Sequence, residues 1–472
     1  MRILFLSSEV VPYAKTGGLA DVSGALPAAL RAAGHEVITI TPLHPGTAAD
    51  LHPLGGIRRF DMSGQTIEWR GWTDPSTSTV FIDSPQLFAQ PGIYTDEPDE
   101  PFRWAAFQHL ALIAAAASKR RFDVIHANDW QTGLVPLLTT TVYRDAPKVG
   151  LVPTVLTIHN LGYQGRFGSE VVEGLGLGSA RSGLHQDHLA QGHVSFLETG
   201  LLHANKITTV SPTYAREIQT PDGGAGLDGV LGRRSADIVG ILNGIDTDEW
   251  NPRTDRHIPW RYSEKSLWRK EKDKEALLGR LQLPYHRHVP VLGLVSRLAH
   301  QKGMDIMGGP LLHFLDTWDI RLAVLGSGQQ EYERFFHMLT HMNPDKVAFV
   351  RGYDIGLSHL IEAGADIFLM PSLYEPCGLN QMYSLAYGTL PVVRKVGGLA
   401  DTVTPIEGNT GNGFVFEHYT EDGLGWALGK ALELHIDRPA WKAAQIRAMA
   451  EDHSWEHRTG DYLDLYRGLV AG

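Results

Sequence analysis

The chain has 472 residues, which at about 100 to 200 residues per domain calls for two or three domains and excludes a single small binding module. Hydrophobic residues make up 43% and charged residues 20%, ordinary globular usage that excludes disorder as the main state. Lys plus Arg number 42 against 53 Asp plus Glu, a formal net charge of −11, which disfavours nucleic acid as a partner and leaves room for a basic pocket around one phosphorylated small molecule.

The first apolar run, in MRILFLSSEV, breaks at Ser7, Ser8 and Glu9, too short and polar for a signal peptide or a membrane span. LALIAAAASKR from Leu110 reads as a buried, Ala-rich helix. One cysteine, Cys377, allows no intrachain disulfide and fits a reducing cytoplasm. A soluble cytoplasmic protein with no membrane partner is expected.

Short β-branched or Leu-rich runs alternate with helical patterns, which predicts an α/β fold of parallel units. The first set of predicted strands covers residues 2–7, 36–41, 79–83, 123–126, 154–159, 206–210 and 238–242. A second covers 290–296, 321–326, 346–351, 366–371 and 390–394. Each set suffices for one doubly wound, Rossmann-like sheet. Between them, after Asn243-Gly244-Ile245-Asp246, a polar stretch over residues 248–274 reads as a hinge. This gives a first domain over residues 1–243 and a second over 244–454. A last segment, 455–472, has helical apolar spacing and is expected to pack back onto the first domain.

KTGGLAD at residues 15–21 has an echo in KVGGLAD at 395–401. Each follows a predicted strand and precedes a predicted helix, so each Gly pair sits at a βα turn. Backbone N–H groups there approach an anion at a helix N-terminus. For the second copy, a closely packed helix start serves as well. In the first copy, Lys15 beside Gly17 and Gly18 forms a phosphate-site arrangement, although the dinucleotide fingerprint GxGxxG is missing.

HANDWQTG sets Asp129 and Trp130 at a strand end, TIHNLGYQG sets His159 and Asn160 at another, and Asn243 ends a third. Polar residues collecting at one sheet edge point to a shared cleft. His spacings such as His185/His188 are those expected by chance among 22 His, and no HExxH or Cys-His set occurs. Asp246-Thr247-Asp248 reads as a turn rather than a metal-holding DxD. No metal site is expected.

In VSRLAHQKG, Arg297 follows a predicted strand and Lys302 stands at a predicted helix start. A planar guanidinium and a compact ammonium together could neutralise a diphosphate. In PSLYEPCGLNQMY, Glu375 follows another strand and precedes a helix predicted to begin near Gly378. There it serves either as a dipole partner or as an acceptor for sugar hydroxyls, with the Gly378 and Leu379 N–H groups adjacent. Cys377 shares that helix terminus, where thiols acidify; with no base partner in view, a contact role is expected.

Taken together, KTGGLAD, TIHNLGYQG, TVSPTYAREI, ILNGIDTDEWNP, SRLAHQKG and EPCGLNQMYSLAYGTLPVVRKVGGLADTV resemble the bacterial glycogen synthase and plant starch synthase family, in order and spacing over essentially the whole chain. The resemblance implies the GT-B fold, two Rossmann-like domains facing across a cleft, and glucose transfer from ADP-glucose to the non-reducing end of an α-1,4-glucan with anomeric retention. It implies no metal or prosthetic group. Lys15, Gly17, Gly18 and Asp21 would lie near the donor diphosphate, which Arg297 and Lys302 would clamp. Glu375 would contact the glucosyl unit beside Cys377, Gly378 and Leu379. His159 and Asn243 would hold sugar hydroxyls, and Tyr353, in RGYDIG, would stack on the adenine.

Three positions depart from the family pattern: Ser195 stands where Asn is expected, Glu198 for Lys and Gln131 for His; Tyr383, in the place of the second Glu of retaining transferases generally, suits this family. Rival readings are a retaining transferase of the same fold using UDP-glucose or a non-glucan acceptor, an α-glucan phosphorylase, which needs a lysine-bound pyridoxal phosphate, and a non-catalytic glucan-binding protein.

Overall fold

The computed structural model describes residues 1–47, 50–95 and 97–471. The chain forms two compact units, one of Met1–Gly244 with Trp455–Gly472 and one of Ile245–Ser454. Gly472 itself lies outside the described residues.

In the first unit the strands are β1 (Arg2–Leu6), β2 (Glu36–Pro42), β3 (His52–Pro53), β4 (Arg58–Met62), β5 (Gln65–Asp74), β6 (Thr79–Asp83), β7 (Val124–Asn128), β8 (Thr154–Ile158), β9 (Arg166–Gly168), β10 (His193–Ser195), β11 (Lys206–Thr209) and β12 (Ile238–Gly240). The main sheet runs β12-β11-β8-β7-β1-β2-β6-β5-β3, with β4 on β5, while β9 and β10 pair separately. From β12 to β6 the pairing is parallel, and these strands include the fully buried RILFL of β1 and TVLTI of β8. Strands covered on both faces need continuous apolar runs. β3, β4 and β5 are antiparallel and were not predicted. Their ten-residue member, QTIEWRGWTD, exposes alternate side chains, so it carries no continuous run.

The helix Trp455–Ala471 belongs to this first unit. Trp455, Tyr462, Leu463 and Tyr466 enter the core formed by Ile3, Phe5, Val22, Leu26 and Val124. The Tyr466 hydroxyl lies 2.6 Å from Nδ1 of buried His126, which desolvation holds near pKa 3 and therefore neutral.

The second unit adds β13 (Val291–Val295), β14 (Arg321–Gly326), β15 (Val347–Arg351), β16 (Ile367–Met370), β17 (Leu390–Arg394) and β18 (Phe414–Phe416), all parallel, in the order β15-β14-β13-β16-β17-β18. Two apolar cores, one around Leu292, Val324 and Leu369 and one around Ala323, Phe368 and Val393, draw on alternate residues of the same strands. Below them, Lys274 Nζ donates to Asp366 Oδ2 at 2.8 Å. Burial pushes the Asp366 carboxyl up, but Lys274 and His435 overcome this and hold it far below the carboxylate range.

Candidate functional site

In each sheet the strand order reverses once near its middle, and ligands of doubly wound sheets bind beyond the C-terminal strand ends at that reversal. In the second unit the reversal falls between β13 and β16. The loop after β13 carries Arg297 and Lys302, and the loop after β16 carries Glu375. Here the structure brings three expected residues together. Lys302 Nζ donates to Glu375 Oε2 at 2.6 Å, and the Ser372 hydroxyl donates to the same oxygen at 3.0 Å. Arg297, exposed, donates from Nη2 to Gln301 Oε1 at 3.4 Å, and Leu373 N donates to the Gln301 carbonyl at 2.9 Å. Gln301, which the sequence reading did not single out, thus binds one loop to the other, and Ser372, also not singled out, holds the Glu375 carboxylate from within its own loop.

Lys302 does not begin a helix. It closes a short 3-10 turn, His300–Lys302, and the regular helix starts later, at Gly308–Thr317. The reason is Gly303, with φ of +75° and the Pro371 carbonyl 2.0 Å from where a Cβ would stand. The close approach turns the chain back on the β16 loop and aims Lys302 at Glu375. The helix expected near Gly378 likewise begins later, as Asn380–Ala386, which leaves Gly378 and Leu379 in the loop. Asn380 Nδ2 ties that start to Val295 O at 2.7 Å. Cys377 is buried, and Gln381 Nε2 donates to its carbonyl at 2.9 Å, which fits a lining residue and not an exposed nucleophile.

The second Gly pair serves packing. Gly398 N donates to the carbonyls of Glu375 and Pro376, both at 3.1 Å. A Cβ on Gly398 would meet the Cys377 carbonyl at 2.1 Å. The helix Gly397–Thr402 therefore buttresses the Glu375 loop from behind. Tyr353 follows edge strand β15 and is 75% exposed; the structure places it apart from the Arg297 and Glu375 loops in strand order. Tyr383 stacks on Trp250 at 3.9 Å, and His359 stacks on the same indole at 3.8 Å, so the ring in place of a second Glu fills an aromatic layer.

In the first unit the reversal lies between β1 and β7. The loop after β1 carries Lys15, whose Nζ donates to Asp21 Oδ1 at 2.7 Å, and the helix Gly18–Ala32 begins directly after Gly17. A Cβ on Gly17 would touch only Glu9 Oε1, at 3.9 Å, so nothing in the unit itself demands a glycine there. Glu9, unpredicted, is buried and accepts from the Thr16 backbone N–H and, at 2.8 Å, from the Thr16 hydroxyl. Desolvation raises its pKa, against which the Thr16 and Gly17 hydrogen bonds act. This carboxylate two residues past a strand run was the available signal.

Beyond β7, Asp129 takes φ of +55° and its Oδ1 accepts from His159 N at 2.7 Å. Burial pushes the Asp129 carboxyl up to about 7, against hydrogen bonds from the His159 and Asn160 backbone and with the nearby Glu9 adding to the rise. His159 Nε2 lies 2.9 Å from Asn128 Oδ1. Because Asn128 Nδ2 is committed to Leu6 O at 2.9 Å, the amide oxygen faces the imidazole and Nε2 carries the proton. Desolvation holds His159 near 3, so it is neutral and its Nδ1 is an acceptor. Asn243, after edge strand β12, is buried and its Oδ1 has no hydrogen-bond partner. A buried polar atom left unpaired is costly and fits a group held for a ligand hydroxyl. Asn243 is not brought to the Lys15 loop within the sheet order.

Ser195 caps the helix Phe196–His203 by accepting from Glu198 N at 3.1 Å, a role that the expected Asn would fill equally. Glu198 is buried inside the unit, so its changed charge does not sit on an open surface as a glucan contact would. Gln131 is buried also. Asp246 Oδ1 accepts from Asp248 N at 2.9 Å and Glu249 N at 3.2 Å, the turn expected there.

A family model described as starch synthase catalytic domain matches residues 2–233, and one described as glycosyl transferases group 1 matches 286–447. Glycogen synthases of Anaeromyxobacter sp. (strain Fw109-5) and Myxococcus xanthus (strain DK1622) are 46% and 44% identical to the chain, each alignment covering 100% of both proteins. Among solved structures, the catalytic domain of starch synthase IV from Arabidopsis thaliana, bound to ADP and acarbose, matches at 33% identity with a TM-score of 0.93, covering 100% of this chain and 99% of that one. Sucrose-phosphate synthase from Thermosynechococcus elongatus matches with a TM-score of 0.62 at 19% identity, covering 100% and 99%, a likeness of fold alone.

Proposed function

The chain belongs to the glycogen and starch synthase family, and from that premise we propose that it extends α-1,4-glucan with glucose taken from ADP-glucose, retaining the anomeric configuration. As a member it is a glucosyltransferase of the GT-B fold class. The observation that carries the donor reading is the full-length match to a starch synthase domain whose structure holds ADP.

Cleaving the glucosyl–phosphate bond builds positive charge on the sugar and negative charge on the diphosphate. Fixed cations at the leaving group are therefore expected to supply much of the catalysis. Arg297 and Lys302, at the reversal of the second sheet, take that role in this reading, and Lys15 with Gly17, Gly18 and Asp21 supplies the phosphate contacts of the first unit. Glu375 meets the glucosyl hydroxyls and the developing positive charge, with Cys377, Gly378 and Leu379 lining the loop. Neutral His159 and the unpaired Asn243 Oδ1 accept from sugar hydroxyls, and Tyr353 offers a face to the adenine. Retention follows from front-face attack, in which the leaving phosphate takes the acceptor's proton. With the diphosphate offset by side chains, the reaction requires no metal or prosthetic group, and the cytoplasm is its place.

Purified chain is incubated with a short α-1,4-glucan and either ADP-glucose or UDP-glucose without added metal, while diphosphate release and glucan length are followed. Lengthening that favours ADP-glucose is the expected result. Preference for UDP-glucose, or transfer to neither donor, overturns the donor assignment.

A further inference from the structure

The segment from His185 to Glu198 folds into a cluster that the transfer reaction does not use. His185 caps the short helix Gln186–Ala190, and its Nδ1 accepts from the His188 backbone N–H at 3.4 Å. That single turn lays the two imidazoles parallel, with centroids 4.1 Å apart and 25° between planes. His193, opening β10, stacks on His188 as well, at 4.6 Å. From the first turn of the helix Phe196–His203, Glu198 brings Oε2 to 2.8 Å from His188 Nδ1. One possible ligand atom from each of His185, His188 and Glu198 lies within 4.8 Å of the other two.

The Glu198 side chain is 2% exposed, and its Oε1 has no hydrogen-bond partner. The His188 contact satisfies one carboxylate oxygen and leaves the other bare in the interior, a costly arrangement. A cation held between the carboxylate and the imidazoles offsets both.

We propose that His185, His188 and Glu198 bind a divalent metal ion of the zinc class. Two imidazoles and a carboxylate form a donor set suited to Zn²⁺, with Zn–N near 2.0–2.1 Å and Zn–O near 2.0–2.2 Å. Mg²⁺ and Ca²⁺, which take oxygen ligands, are disfavoured. His185 and His188 are both half-buried, so their rings can rotate inward to close the distances and an ion and a fourth, water ligand can enter from solvent. The ion ties the helix Gln186–Ala190 to the helix Phe196–His203, a structural clip independent of donor choice.

The test uses the full-length, untagged chain, stripped with chelator and dialysed. It is titrated with Co²⁺ and followed by visible absorption, then challenged with Zn²⁺, and zinc is counted by elemental analysis after gel filtration. One zinc per chain and a Co²⁺ band displaced by Zn²⁺ are expected. His185→Ala leaves the His188–Glu198 contact in place but removes the cap of the helix Gln186–Ala190, so the stripped variant is expected to melt slightly below the stripped parent while zinc binding weakens at least about 10-fold. Glu198→Gln is expected to abolish the Co²⁺ band. No stoichiometric zinc after filtration, or His185→Ala binding zinc as tightly as the parent, overturns the site.

Discussion

Replacing Lys302 with Ala separates chemistry from architecture at the second unit's sheet reversal. The ammonium lies 2.6 Å from a Glu375 carboxylate oxygen, with the Lys302 side chain 21% and that of Glu375 7% exposed. Removing one partner of a fully buried pair costs about 3–5 kcal/mol. The partial exposure of Lys302, and the Ser372 hydroxyl that stays on Glu375, reduce this to roughly 1–3 kcal/mol. At about 2–4 °C per kcal/mol for a unit of this size, the melting temperature falls by several degrees and the protein stays folded. Loss of a fixed positive charge at the leaving group costs about 10²–10³ in kcat. Diphosphate release in single-turnover and steady-state assays measures the second effect, and affinity electrophoresis on glucan measures retained binding. Adding Glu375→Gln separates the roles: if Lys302 only neutralises Glu375, the double variant transfers as well as Glu375→Gln alone. That result, or equal losses of glucan binding and transfer in Lys302→Ala, refutes the clamp.

Gly303→Ala places a Cβ 2.0 Å from the Pro371 carbonyl at a φ of +75°, and is expected to destabilise the protein by about 1–3 kcal/mol and to lower transfer with it, read by melting and rate together. Gly17→Ala meets nothing closer than 3.9 Å, so its melting temperature is expected to match the parent while KM for the donor rises; an unchanged KM counts against a diphosphate at that loop. Asp129, raised from 3.8 to about 7, binds its proton more tightly folded than unfolded. Its contribution to stability is full below 3.8 and lost as pH climbs through about 7, so Asp129→Asn, neutral throughout, is expected to flatten the fall in urea stability between pH 5 and 8. Equal slopes for the two proteins refute the shift. Lys274→Met strands buried Asp366 and is expected to cost about 3–5 kcal/mol in chemical denaturation; a loss under 1 kcal/mol shows the pair to be dispensable.

The parallel strands were legible because burial on both faces forces uninterrupted apolar runs such as RILFL and RLAVLG. β5 was not, since its alternating exposure resembles a polar loop to a reader looking for such runs, and the three-residue β18 offers too little pattern. At the site, Arg297, Lys302 and Glu375 were readable as charges placed at strand ends. Gln301 was not, because its role arises only when two loops far apart in sequence are laid side by side by the strand order. The late helix starts after Lys302 and Glu375 share a cause. Each loop is held by a tertiary contact, Gly303 on Pro371 and Asn380 on Val295, that local propensity does not register.

The two near-identical heptapeptides make the same point from the opposite side. Six shared letters of seven build the same local object, a Gly pair opening a helix after a strand, yet the surroundings set different tasks. At Gly398 the missing side chain admits the Cys377 carbonyl to 2.1 Å of the would-be Cβ, and the N–H is spent on Glu375 and Pro376. A substitution there displaces the carboxylate loop and is a packing lesion. At Gly17 the space beside the Cα is open, and the chain has placed Lys15 and Asp21 at its rim. With no internal neighbour requiring glycine, the demand for close backbone approach falls to something that binds from outside. An anion arriving at the start of the helix Gly18–Ala32 is the approach that geometry and dipole favour. The first copy therefore carries the donor-binding expectation, and the second holds Glu375 in place.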